Sequence, residues 1–141
     1  MPSTSNHVNA VTEFLVKSQV QYLATIGLDD KPKVRPFQFM REEGGRLYFC
    51  TSNQKPVFRE MQKHPYVEFC ASGANFSWLR LNGKVEFSND LELKARIQNA
   101  SPVVKSIYQT PDNPAFEVFY LDGAAATIAD FSGNPPRTFR L

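Results

Sequence analysis

The sequence has few of the residues that usually mark a catalytic or metal site. Only two histidines occur, His7 and His64, far apart and without ligand-spaced companions. A metal centre is therefore not expected. The two cysteines, Cys50 and Cys70, lie in strand-like stretches and form no CxxC pair. Two buried thiols are favoured over a disulfide or a redox pair, because free cysteine behaves as a small hydrophobe. No apolar run approaches the ~18 residues that a membrane helix needs. The first residues, MPSTSNHVNAVTEFLVK, have neither a basic start nor a long apolar stretch. That argues against a signal peptide and for the cytoplasm. No Lys/Arg run appears, and 16 basic against 14 acidic residues leave a net charge of +2. The balance speaks against nucleic acid as a partner. No Ser/His/Asp set, acid–base pair, repeat or low-complexity segment stands out.

What is present is a core. A chain of 141 residues is most simply one domain, residues 1–141. At that length roughly 70% of the unfolded surface can be buried. Phenylalanine is frequent, at 12 residues, which suggests an aromatic-rich core or pocket. Val8, Val11, Thr12 and Leu15 share one face of an expected helix over 8–18. A strand follows at 21–28, then a turn at Asp29-Asp30-Lys31-Pro32. Strands over 33–40 and 46–51 flank Glu43-Gly44-Gly45. Pro56 suits the first turn of a helix over 55–63, with Val57, Phe58 and Met61 facing inward. His64-Pro65 ends it, because the residue before proline disfavours the helical region.

The next strand is expected over 66–72. The clearest alternation comes after it. Leu79, Leu81, Val85 and Phe87 occupy one face, and Trp78, Arg80, Asn82, Lys84 and Glu86 the other, with Gly83 allowing a bend or bulge. Such a strand is one-sided and antiparallel. Asn89 and Glu92 form a capping box in pattern, followed by an apolar stripe of Leu93, Ile97 and Ala100. A short helical piece over 103–109 precedes strands at 116–121 and 124–131. The tail SGNPPRTFRL is expected to be irregular or to end in a short edge strand. Short turns between neighbouring strands imply antiparallel pairing. Closure into a barrel removes the edges of such a sheet. The fold class expected is α+β, mainly β: an antiparallel barrel of six or seven strands with short flanking helices.

The most informative stretch is 33–55, KVRPFQFMREEGGRLYFCTSNQK. One strand carries Arg35. Its partner runs into Thr51 and Ser52, then Lys55 at a helix start. Two cations, two hydroxyls and free helical N–H groups suit a phosphate. A lysine at a helix N-terminus is mildly unfavourable unless an anion compensates it. Trp78, a large ring among Arg80, Asn82 and Lys84, would stand exposed unless another subunit or a ring covers it. Lys105 and Tyr108 share one face of the short helix and read best as a surface lysine and a packed tyrosine.

The order VRPF (34–37), YFCTSNQK (48–55), HPYVEF (64–69) and WLRLNGKVEF (78–87) resembles the pyridoxamine 5′-phosphate oxidase-like, FMN-binding split-barrel family over about residues 8–131. The resemblance implies a split barrel and a homodimer with FMN at the subunit interface. Arg35 and Lys55 would bind the FMN phosphate, with Thr51 and Ser52 beside it. Pro36 and Phe37 would line the isoalloxazine. Trp78 and Arg80 would approach from the second subunit. The activity implied is an FMN-dependent oxidoreductase acting on a small molecule. Asn53-Gln54-Lys55 stands where the oxidase proper has Ser-Arg-Lys, and no C-terminal substrate arginine matches, so vitamin B6 oxidation is not implied. Nor is there a histidine where nitroimidazole-reductase-like members often carry one. A flavin-binding or stress-response protein without turnover, or a split barrel using a deazaflavin or haem, are the alternatives.

Overall fold

A computed structural model describes the backbone of residues 4–141 and the side chains from residue 7 onward. Among them are helices α1 (Thr4–Ser18), α2 (Pro56–Lys63), α3 (Leu91–Ala100) and α4 (Pro102–Tyr108). The strands are β1 (Gln21–Ile26), β2 (Pro32–Phe37), β3 (Arg41–Glu43), β4 (Arg46–Ser52), β5 (Tyr66–Ser72), β6 (Trp78–Ser88), β7 (Phe116–Ala129) and β8 (Arg137–Arg140). They form one antiparallel sheet in the order β2-β1-β5-β6-β7-β4-β3, with β8 also on β7. The sheet curls into a split barrel.

Alternation puts Leu79, Leu81 and Val85 of β6 inside, with Leu23 of β1 and Phe69 of β5. The frequent phenylalanines meet here. Phe49 stacks on Phe69 with centroids 4.0 Å apart, and Phe37 stands edge-on to both Phe69 and Phe119 at 5.9 Å. Such pairs add about 0.5–1.5 kcal/mol beyond area burial. A second cluster, with Leu93, Ile97, Val104 and Tyr108, seats α3 and α4 against the β4–β7 side. Gln21 is fully buried and ties three segments together. Its amide donates to the Leu15 carbonyl and Ser18 Oγ, each at 2.9 Å, and its Oε1 accepts the Phe39 N–H at 2.6 Å.

Several expectations need correction. Among the described residues the strands number eight, since β3 and β8 both pair. The strand expected over 33–40 stops at Phe37. The two strands expected at 116–121 and 124–131 are one, β7, which runs through Gly123. Between the pairs Asn82↔Ala125 and Lys84↔Asp122 lies one residue on β6 and two on β7. Gly123-Ala124, opposite Gly83, is therefore a bulge rather than a turn, and Gly123 takes φ +61°. The cap of α3 is Asp90, not Asn89. Its carboxylate accepts the N–H groups of Glu92 and Leu93 at 3.0 and 3.3 Å. Ala100 is exposed, so the α3 stripe consists of Leu93 and Ile97 with buried Lys94 and Gln98. Cys70 is exposed, because it falls on the outer face of β5.

Candidate functional site

The split lies where the barrel fails to close. β2 pairs only with β1. β3 covers only Arg46–Tyr48 of β4, leaving the residues beyond with β7 alone. The backbone edges at Pro36–Gln38 and at Cys50–Thr51 therefore face each other without pairing. The cavity between them has a volume of ≈ 340 Å³, within the range of small-molecule sites. Pro36, Phe37, Cys50, Thr51 and Lys55 line it, and Tyr108 of α4 closes one flank.

Thr51 is 3% exposed, and its Oγ1 is buried without a hydrogen-bond partner. Buried hydroxyls are rarely left so, and the free energy lost is about 1–3 kcal/mol. A polar ligand atom entering the split would satisfy it. Lys55 is exposed and occupies the N-cap of α2 without a side-chain capping bond. In the first turn that follows, Pro56 has no N–H and the Phe58 N–H donates to the Lys55 carbonyl at 3.1 Å. Ser52 does not cap α2 either; its Oγ accepts the Gln54 N–H at 3.2 Å.

Burial pushes the Cys50 thiol up to about 12, with the nearby Lys55 charge pulling the other way. Burial, reinforced by Cys50, likewise moves Tyr108 up to about 12. Both are neutral around pH 7 and present hydrogen-bonding surface rather than charge. Neither histidine lines the split: His7 packs on Phe139, and His64 Nε2 lies 3.3 Å from Asp30.

Four of the residues singled out in the sequence meet at this cavity: Pro36, Phe37, Thr51 and Lys55. Arg35 does not line it. Its guanidinium donates to the Leu23 carbonyl at 3.1 Å, to Thr25 Oγ1 at 2.7 Å and to Glu60 Oε1 at 2.6 Å. Thr25 also donates to Glu60 at 2.7 Å, and Glu60 is 5% exposed. Three of the five N–H groups are thus used inside the chain, leaving the Nε–H and one Nη–H. Within one chain Trp78 and Arg80 stand apart from the cavity, on the outer face of β6. The Trp78 ring lies 5.2 Å from that of Phe131, and Arg80 pairs with Glu68 at 3.0 Å.

Tyr108 reaches the split, whereas Lys105 turns to Asn99 Oδ1 at 3.1 Å. Sequence reasoning missed Glu60 and the apolar wall of Met40, Val104 and Ile107. Glu60 carried a faint signal, being three residues after Val57 on the inward face of α2. Val103, Val104 and Ile107 exceed what a seven-residue helix needs for one buried face.

The family model described as pyridoxamine 5′-phosphate oxidase matches residues 8–128. A NimC/NimA family protein from Clostridium acetobutylicum is 34% identical, with a TM-score of 0.87, covering 96% of this chain and 94% of that one. A pyridoxamine 5′-phosphate oxidase-related, FMN binding protein from Nostoc punctiforme is 18% identical, TM-score 0.69, covering 95% and 86%. A heme binding protein from Mycobacterium smegmatis is 18% identical, TM-score 0.71, covering 99% and 59%. The last two share the fold. No curated protein matches.

Proposed function

The chain belongs to the pyridoxamine 5′-phosphate oxidase family, and from that premise we propose that it is a single FMN-binding domain, a cytoplasmic homodimer that exchanges electrons with a small molecule. The observation that carries this is the buried, partnerless Thr51 hydroxyl in the lining of a split that Lys55 also lines. A polar atom kept dry and unbonded suits a site completed by a ligand.

Each residue has a task that its chemistry supports. Lys55 and the start of α2 hold the phosphate, with Thr51 and Ser52 beside it. Arg35, fixed by Glu60 and Thr25 outside the cavity lining, keeps two N–H groups for an anion that extends beyond that lining. Pro36 and Phe37 present a flat apolar surface and an open strand edge to the ring. Trp78 and Arg80 approach from the second subunit. FMN, when bound, supplies the hydride or electron chemistry, which is why the split needs no acid–base pair. Tyr108 and Cys50 keep that end of the split uncharged.

The second copy has a surface to meet. Tyr22, Ile26, Val34 and Tyr66 stand 43–71% exposed on the outer face of the sheet. A broad groove of ≈ 650 Å³ runs across the same face. A monomer seldom leaves so contiguous an apolar patch in water.

The test is an FMN titration followed by desalting. A retained flavin band near about 450 nm is expected. The variant Arg35→Ala/Lys55→Ala should lose at least about tenfold in FMN affinity, with riboflavin affinity changing little, because charge-assisted bonds to the phosphate are removed. Equal FMN affinity in that variant removes the phosphate assignment. No uptake of flavin by the natural sequence, with uptake of a deazaflavin or haem instead, replaces FMN. Flavin uptake without turnover on any nicotinamide or small-molecule donor leaves a storage or sensing protein.

A further inference from the structure

Tyr108 is held at the split from several directions. Ser101 caps α4 by accepting the Val104 N–H at 3.4 Å, and Asn113 Nδ2 donates to the Tyr108 carbonyl at 2.8 Å. Gln98 Nε2 donates to the Thr110 carbonyl at 2.8 Å and so fixes the chain just past the helix. The Phe116 ring lies 4.6 Å from that of Tyr108, centroid to centroid. The residue is 8% exposed and lines the cavity. Burial and the Cys50 thiol beside it raise the hydroxyl to about 12, and no hydrogen bond contributes. A buried tyrosine hydroxyl usually has a hydrogen-bond partner. Among the described residues none accepts from this one, so its O–H is left for what enters the cavity.

The company of this hydroxyl is apolar. Val104 and Ile107 precede it on α4 and also line the cavity, with Val20 and Met40. Among the described residues Lys55 is the one charged side chain of the lining. Lys105, the charged residue of α4, turns away to Asn99 Oδ1 at 3.1 Å. With Lys55 engaged by a phosphate, nothing in the lining remains to neutralise a second charge. Bringing an unpaired ion there from water is strongly unfavourable. A neutral ring gains by leaving water. Met40 is unbranched and adapts to rings of different outline. Val20 and Ile107, 43% and 63% exposed, mark the side on which the cavity opens.

We propose that the α4 flank of the split is the substrate subsite, and that it takes an uncharged, flat, largely apolar molecule with a hydrogen-bond acceptor, to which the Tyr108 hydroxyl donates. The inference rests on FMN holding the Lys55 side. Tyr108 acts as a binding residue: it orients the acceptor and transfers no proton. Carboxylates and ammonium compounds of the same shape are rejected, because no side chain of this flank carries a compensating charge.

Benzamide, benzoate and benzamidine test it, since they share one ring and nearly one shape and differ in charge. Each is titrated into the FMN-loaded protein near neutral pH. Binding is read from the flavin difference spectrum and, independently of flavin, from broadening of the probe's own NMR signals. Benzamide should bind at least about tenfold more tightly than either ion. Tyr108→Phe should weaken benzamide about threefold or more, the loss of one hydrogen bond. Toluene, which has no acceptor, should bind both proteins equally. Ile107→Lys, at an exposed position, should raise benzoate affinity about threefold or more by supplying the missing charge. Equal affinities for the three probes overturn the proposal, and so does a benzamide affinity that Tyr108→Phe leaves unchanged. If the chain takes up no FMN, the flavin assignment alone falls, and the probe signals still read the subsite. Benzamide binding that Tyr108→Phe weakens then upholds it, and indifference to that change overturns it.

Discussion

Cys50 lies in the split against Tyr108, whereas Cys70 stands on the outer face of β5. Burial raises both Cys50 and Tyr108 to about 12. The fold therefore favours their neutral forms, and the unfolded chain releases these protons at lower pH. Their contribution is complete below the ordinary thiol value of about 8.5 and is lost as pH climbs toward 12. Melting temperature should fall progressively above pH 9, and Cys50→Ala should remove the thiol's share of that slope. At pH 8 iodoacetamide should leave Cys50 unmodified in the native protein and label it after denaturation, as read by peptide mass. Labelling of native Cys50 contradicts a half-buried thiol held protonated in the split. At this scale the sequence disclosed residue types better than partners. Thr51 and Lys55 could be picked out because hydroxyls and a lysine precede Pro56. The engagement of Arg35 could not, because Glu60 is on another element and only the curl of the sheet brings the two together.

At the scale of elements, local chemistry was the guide, and it failed where tertiary pairing overrode it. The helices followed from apolar spacing and proline, and β6 from strict alternation. Asp122-Gly123 looks like a hairpin turn, yet β6 continues past it and keeps β7 extended, so the extra residue becomes a bulge. Opposite the bulge sits Gly83. A Cβ there would meet the Asp122 carbonyl oxygen and Leu121 Cβ, each at 2.9 Å. One contact is backbone and the other belongs to the core, so neither yields cheaply. Gly83→Ala should therefore cost about 1–3 kcal/mol. The denaturation midpoint should drop with the slope unchanged. An unchanged midpoint means that the two strands can part at the bulge more freely than these distances allow.

At the scale of the whole molecule, the outer sheet face and the split are two consequences of one topology. Ending the sheet at β2 on one side and at the short β3 on the other leaves the cavity. Leaving the convex side of β2, β1, β5 and β6 without helices leaves the apolar face. The sequence hinted at that face through Trp78 alone, since Tyr22, Val34 and Tyr66 come onto one sheet face only when their strands pair. If a second copy covers it, a charge placed there has to be buried, and burying an unpaired charge costs several kcal/mol. Val34 is 68% exposed in the single chain, so Val34→Glu leaves the barrel itself unstrained. Light scattering should show the natural chain at twice the mass of the variant, with superimposable far-UV spectra. Cys70 reports the same event chemically. It should resist iodoacetamide in the natural dimer and react readily in Val34→Glu, because only a partner subunit shields it. Equal reactivity and equal mass in the two proteins would mean that this face meets water, and that the split is complete within one chain.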